Sequence, residues 1–328
     1  MKQRVLITGG LGYVGGRIAQ ALLTAGHSVR CGTRRANLSA PAWLPEMALV
    51  RLDWASPDSL AEACRGIECV IHLAAMNEIE SAQDPLGALQ MNGLASLRLL
   101  EAAKHAAVRR FIYFSTAHVY GAPLQGEISE TSLPRPIHPY AITHKVAEDF
   151  VSAAHDQKQI EGLVIRLSNG FGAPLTAQID RWTLLVNDLC RQAVTRGELS
   201  LNSAGTQLRD FITLADVARA VNHLLQLDVT QLGDGLFNLG SGESVSIFAM
   251  AQRIAGRWHA LSGQTAPIIR PEPKPAANSN SNSLTVAALN YRCAKLAATG
   301  FALTSQVDRE IDDTLRLCTQ AFGQQRKI

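Results

Sequence analysis

Residues 4–15 read RVLITGGLGYVG, and this stretch decides the fold. Val5, Leu6 and Ile7 make a short apolar, β-branched run that stops at Gly9 and Gly10, and Val14, Ile18, Leu22 and Leu23 then recur at helical spacing. Gly9, Gly12 and Gly15 therefore sit on a strand-to-helix turn. In that setting Gly9 permits the tight turn, Gly12 lets the backbone approach a ligand without a Cβ in the way, and Gly15 lets the helix pack on the strand. The helix start presents unpaired N–H groups, which suits a pyrophosphate. Tyr13 and Val14, between the last two glycines, join the same candidate cofactor-binding set; a glycine-rich turn without a ligand is the alternative.

Strands and helices keep alternating. SVRCGT (28–33), LVRLD (49–53), CVIHLA (69–74), RFIYFS (110–115) and GLVIRLS (162–168) read as strands. Ser56-Pro57 opens a helix, with proline at the first helical position. The pattern predicts an α/β fold, a doubly wound parallel sheet of the Rossmann kind. Two longer helices, near 84–106 and 140–156, carry wide apolar stripes that fit packing on the sheet or against a second surface. From about 170 the pattern changes. A helix near 181–196 and a short strand near 198–201 precede a helix with Asp216 in its first turn, then a strand, a turn and a helix capped at Ser246. Residues 263–283, rich in Pro, Ser and Asn, read as a long loop.

Composition bounds the function. With 328 residues, 47% hydrophobic and 18% charged, the chain can bury a sizeable core in one or two domains. Its net charge of +3 is small and spread out, which argues against nucleic acid or a membrane surface as partner. The first strand begins too early for a signal peptide and no apolar run approaches a bilayer span, so a cytoplasmic protein is expected. The six cysteines show no CxxC spacing, so they read as reduced, mostly buried thiols, and no metal is expected.

The GxxGxxG spacing, with TGGLGYVG around it, resembles the short-chain dehydrogenase/reductase superfamily in its extended, sugar-nucleotide-modifying branch. The resemblance runs from Arg4 to about residue 320 and is strongest before 245. It implies a dinucleotide-binding domain of residues 1–168 and about 210–242, and a smaller C-terminal substrate-binding domain of about 169–209 and 243–328. It also implies a homodimer through the two long helices.

At the end of the second strand, NAD-selective members of this family carry an acidic residue that hydrogen-bonds the adenosine ribose. This chain has Thr33, followed by Arg34 and Arg35. A guanidinium there can clamp a 2′-phosphate, which favours NADP(H) over NAD(H), although the arginines also fit a merely solvated loop. Asp53 matches the residue that receives the adenine amino group, Leu73, Ala74 and Ala75 the segment lying against the cofactor, and Asn92 a buried asparagine of the central helix.

The resemblance also supplies the chemistry. A tyrosine exchanges a proton with a substrate hydroxyl while the nicotinamide takes or gives hydride at the same carbon, a Ser or Thr bonds the same oxygen, and a lysine four residues on supports the tyrosine and holds the nicotinamide ribose. Here the hydroxyl is Thr116, with Ser115 beside it on the cofactor side, and the tyrosine is Tyr140 in HPYAITHK. The fourth residue on is His144, not lysine, and Lys145 points about 100° away around the helix. Three readings follow. His144 acts as a pH-sensitive substitute, charged part of the time near neutrality; or Lys145 is recruited by a helix distortion; or the protein is slow or redox-silent.

Ala117 and His118 stand where 4,6-dehydratases of the family carry an Asp-Glu pair, so dehydration is not expected. What remains is C4 epimerisation or reduction of a 4-keto sugar, with the NADP-leaning residues tilting toward reduction. His118 can face the substrate or pack at the strand end. Asn169, in RLSNGFG, and Arg209, in RDFI, match positions that reach the substrate and its diphosphate, although Arg209-Asp210 can also be read as a structural ion pair. The expected substrate is therefore a nucleotide-linked sugar. A redox-silent NADP(H)-binding regulator and a reductase of a non-sugar ketone are the alternatives.

Overall fold

The computed structural model describes residues 2–271 and 288–323. The strands in chain order are β1 (Arg4–Thr8), β2 (Ser28–Thr33), β3 (Ala48–Arg51), β4 (Cys69–His72), β5 (Arg110–Thr116), β6 (Gly126–Ile128), β7 (Glu161–Leu167), β8 (Asn169–Phe171), β9 (Leu199–Ser200), β10 (Leu208–Thr213), β11 (Leu236–Leu239), β12 (Ser244–Ser246), β13 (Ile268–Ile269) and β14 (Leu289–Tyr291). The helices are α1 (Tyr13–Thr24), α2 (Pro57–Cys64), α3 (Glu78–Gln83), α4 (Pro85–Ala88), α5 (Ala95–His105), α6 (Pro139–Asp156), α7 (Leu185–Thr195), α8 (Leu214–Gln226), α9 (Ile247–Ser262), α10 (Ala294–Ala298) and α11 (Val307–Phe322).

Seven strands form one sheet in the order β11-β7-β5-β4-β1-β2-β3, every neighbour parallel. Parallel neighbours need crossovers, and the helices between them cover both faces. Side chains alternate across the sheet with a period of two. Val5, Ile7, Ile71, Ile112 and Ile165 thus join the core that includes Ile18 and Leu22 of α1 and Val217 and Val221 of α8. Leu6, Val70, Phe111, Tyr113 and Val164 face the other way, onto α2, α5 and α6. Strand order reverses between β1 and β4, and the crevice at the carboxyl ends of those strands is where such sheets bind ligands.

A third apolar core draws on α7, α9 and α11, among them Val186, Leu189, Met250, Ile254, Ile311 and Leu315. Near it, β10 runs between β8 and β12, and β9 pairs with β13. Among the described residues no helix is long and apolar enough to cross a membrane.

Several expected boundaries shift. Strand β3 stops at Arg51, so Asp53 lies just beyond it, and α7 starts at Leu185 rather than near 181. The helix expected over 84–106 is three consecutive segments, α4, a π turn at Leu89–Leu94 and α5. Of the loop expected over 263–283, residues 268 and 269 pair as β13, and residues 272–283 lie outside the described residues. Five cysteines are buried, Cys293 is half-buried, and all six are free thiols.

Candidate active site

The glycine turn is a tight cradle. Gly9 has φ +77°, and a Cβ there would lie 3.0 Å from Ala74 N and 3.1 Å from Leu73 C, because the segment after β4 passes directly over it. A Cβ on Gly15 would lie 2.3 Å from Gly9 O, so only glycine lets α1 start this close to the strand. Gly12 N donates to Gly9 O at 2.9 Å, and no side chain among the described residues caps α1, which leaves the first N–H groups of the helix to a ligand. The cradle fits a dinucleotide pyrophosphate. Val14, Leu73 and Ala74 are half-buried beside it and Ala75 is exposed.

Tyr13 departs from expectation. Its ring is buried, and its hydroxyl lies 2.8 Å from Gly172 O and 3.2 Å from Asn187 Oδ1, so it ties α1 to the segment after β8 and to α7. Only its backbone is left for a cofactor. The next turn of α1 adds a second tie, with Arg17 donating to Ala173 O at 2.8 Å and pairing with Glu310 of α11 at 2.6 Å.

At the adenosine end, Thr33 is buried and its Oγ1 accepts from Arg35 N at 3.2 Å. Arg34 and Arg35 are exposed and make no ion pair among the described residues. Asp53 is exposed too, with Oδ1 accepting from Ala55 N at 2.9 Å and its own N–H donating to Ser59 Oγ.

Thr116 ends β5 and Tyr140 opens α6, and the Thr116 hydroxyl stands near enough to the Tyr140 phenol to ease its ionisation. Thr116 Oγ1 also accepts from His118 N at 3.2 Å, and His138 caps α6 by accepting from Tyr140 N. Burial pushes the Tyr140 phenol well above its ordinary range; the Glu78 carboxylate adds to this, while Arg181 and the Thr116 hydroxyl oppose it. Ser115 beside them is buried and its Oγ has no partner among the described residues.

Sequence reading missed Glu78 and Arg181. Glu78 starts α3 and Arg181 precedes α7, and they meet at 3.8 Å with their charges felt by Tyr140. No motif marks either residue, because the contact joins segments about 100 residues apart. His118 reaches the surface rather than packing at the strand end. Partial burial lowers its basicity, as do Arg209 and His138, while Glu78 opposes them.

His144 is buried beneath Tyr140, the two rings edge to face at 4.4 Å between centroids. Its Nδ1 lies 2.7 Å from the Tyr113 hydroxyl, and its Nε2 is buried with no hydrogen-bond partner among the described residues. Burial pushes the imidazole down to about 4. This corrects the reading of His144 as a part-time cation, since the ring is neutral near pH 7. Recruitment of Lys145 fails as well, because α6 runs unbroken and Lys145 pairs with Asp149 on the outer face.

Asn92 is fully buried with its amide spent: Oδ1 accepts from Met76 N at 2.7 Å and Nδ2 donates to Thr143 Oγ1 at 3.0 Å. It braces the segment after β4 against α6. Asn169 donates from Nδ2 to Asp210 O at 2.8 Å. The alternative ion pair of Arg209 with Asp210 does not form. Asp210 instead accepts from Ser168 Oγ, from Ser241 N and Oγ and from Gly242 N, while Arg209 is exposed and without an ion pair among the described residues.

Comparison with known proteins agrees with this fold. The family profile described as "NAD dependent epimerase/dehydratase family" matches residues 5–240. The UDP-glucose 4-epimerase of Azospirillum brasilense is 29% identical over 294 residues, covering 83% of this chain and 81% of the relative. That of Streptomyces lividans is 29% identical over 273 residues, 77% of this chain and 80% of the relative. Among solved structures, MoeE5 in complex with UDP-glucuronic acid and NAD is 25% identical with a TM-score of 0.75, covering 97% of this chain and 99% of that one. The Thermus thermophilus UDP-glucose 4-epimerase in complex with NAD has a TM-score of 0.77 at 24% identity over the same shares, a likeness of fold.

Proposed function

The chain belongs to the NAD dependent epimerase/dehydratase family, within the extended short-chain dehydrogenases/reductases, and on that premise we propose that it is an enzyme inverting C4 of a nucleotide-linked sugar. The observation that carries this is the Thr116–Tyr140 hydroxyl pair at the carboxyl end of the parallel sheet that also forms the glycine cradle. The sequence tilt toward 4-keto reduction gives way to epimerisation, because the curated relatives are named as 4-epimerases and the solved ones carry NAD.

In this reading Gly9, Gly12, Gly15 and the backbone of Tyr13 and Val14 hold the pyrophosphate, Asp53 the adenine, and Ser115 and His144 Nε2, both buried without partners, the nicotinamide end. Bound there, the cofactor supplies reversible hydride acceptance at the sugar carbon. Tyr140 takes the proton of the C4 hydroxyl and returns it, and Thr116 holds the same oxygen. Arg209 meets the diphosphate, with His118 and Asn169 on the sugar side. The Glu78–Arg181 pair borders the phenol and bears on which sugar enters.

Between NAD(H) and NADP(H), unpaired Arg34 and Arg35 with no acid at position 33 support tolerance of a 2′-phosphate. We extend the proposal to the expected domain division, supported by the separate core among α7, α9 and α11, and to a homodimer. For the dimer the support is exposed Leu86, Leu89 and Leu94 alongside Ile142 and Phe150 of α6, a second apolar set besides the stripe that packs on the sheet.

A second reading has its own observation. With His144 neutral, no cation stands at the lysine position beneath Tyr140, which favours a slow or redox-silent dinucleotide-binding protein. Native mass spectrometry for a retained dinucleotide, followed by incubation with UDP-glucose and detection of UDP-galactose, separates the two. Retained dinucleotide with a converted sugar supports the enzyme; retained dinucleotide with no conversion of any UDP-sugar supports the silent protein.

A further inference from the structure

Beneath the active site runs a buried polar chain of which the functional reading uses His144 alone. Thr8, His72, Ser96, Tyr113 and His144 come from β1, β4, α5, β5 and α6, and all are buried. Ser96 donates its single proton to Asn92 O at 2.6 Å, since a carbonyl can only accept. Its oxygen is then the acceptor for His72 Nε2 at 2.8 Å. With the proton on Nε2, His72 Nδ1 accepts from the Thr8 hydroxyl at 2.6 Å. Every proton in that half is committed.

The other half turns on Tyr113. Burial keeps the phenol protonated, and the acceptor that faces its hydroxyl in hydrogen-bond geometry is His144 Nδ1 at 2.7 Å, so Tyr113 is the donor there. A neutral imidazole that accepts at Nδ1 carries its hydrogen on Nε2. That nitrogen is the buried atom without a partner, one helical turn below Tyr140.

We infer that Tyr113 is a positioning residue, whose hydroxyl fixes His144 as the Nε2–H tautomer so that Nε2 donates to a ribose hydroxyl of the bound dinucleotide. The inference rests on the dinucleotide reading above and adds how a histidine does this without a charge. A lysine offers three donors in any rotamer; a neutral imidazole offers one, on whichever nitrogen its neighbour leaves protonated. Tyr113 makes that choice from β5, where the two-residue period of the strand turns it onto the α5 and α6 face.

The test labels the full-length protein with nitrogen-15 histidine and reads the His144 tautomer at neutral pH by two-bond nitrogen–proton correlation, the signal being identified by its loss in His144→Gln. The parent is expected as Nε2–H. Tyr113→Phe, which keeps the ring, should release the tautomer and weaken NAD binding about tenfold in a fluorescence titration, leaving UDP affinity unchanged. An Nδ1–H parent, or a Tyr113→Phe protein with unchanged tautomer and NAD affinity, overturns the inference. Should Tyr113→Phe fail to fold, the amide variants decide. Glutamine carries its nitrogen at the ε position and should stay within about threefold of the parent, whereas His144→Asn should be about tenfold weaker, and the reverse order overturns the inference. A parent that binds no dinucleotide removes the functional reading and the ribose contact together, while the tautomer signal still decides whether Tyr113 governs the ring.

Discussion

The Tyr140 ring stands edge-on to the His144 imidazole at 4.4 Å, and burial keeps that imidazole neutral, so α6 places no cation beneath its own phenol. Lys145, one residue on, is committed to Asp149. Burial pushes the phenol above its ordinary range, with Arg181 and the Thr116 hydroxyl, rather than a cation on α6, opposing the shift.

Tyr140→Phe should abolish sugar turnover while leaving folding and NAD affinity unchanged, because only the proton-exchanging hydroxyl is lost. Thr116→Ala should slow turnover about 10- to 1000-fold, the range for a hydrogen bond to a charge that develops during reaction. Steady-state assays with UDP-sugars, beside circular dichroism, check both. A fully active Tyr140→Phe protein contradicts the assignment.

The pH profile should climb through the alkaline range, because Tyr140 ionises above its ordinary value and its phenolate fraction rises with pH. His144→Lys puts an ammonium under the phenol, lowers its pKa and should move the rising limb to lower pH. Profiles of kcat for parent and variant test this. Superimposable profiles would refute it.

Stability should fall on acidification between about pH 6.5, where unfolded histidine begins to charge, and the folded values of about 4 for His144 and about 3 for His72. Both folded values lie below the unfolded one. The unfolded chain therefore binds more protons in this window, and stability is present above it and lost as pH drops. His144→Gln should flatten the decline in Tm over that range, provided thermal melts are compared at equal ionic strength.

NADP(H) should bind no more weakly than NAD(H), and Arg34→Ala should weaken NADP(H) alone. Fluorescence titration of both cofactors checks this. A strong NAD(H) preference in the parent would mean that Arg34 and Arg35 are solvated loop residues.

Arg209→Ala should weaken UDP binding by about 10- to 100-fold, the effect of removing a charge-assisted hydrogen bond to a diphosphate. NAD affinity should stay constant, since the glycine cradle is elsewhere. Calorimetry with UDP, GDP, TDP and CDP measures it. If the parent binds none of them, a phosphate-free ketone becomes the better substrate class.

By itself the sequence determined what local spacing controls. Gly9, Gly12 and Gly15 marked the cradle, Ser56 and Ser246 the helix starts, and two-residue and helical periods the βα units, because each depends on backbone sterics and side-chain direction within a few residues. The tertiary structure alone decided the state of His144, the missing Arg209–Asp210 pair, the meeting of Glu78 with Arg181 and the use of Tyr13 as a tie to α7. A charge or tautomer depends on burial and on partners brought from other strands and helices, and those distances do not exist until the sheet has closed around them.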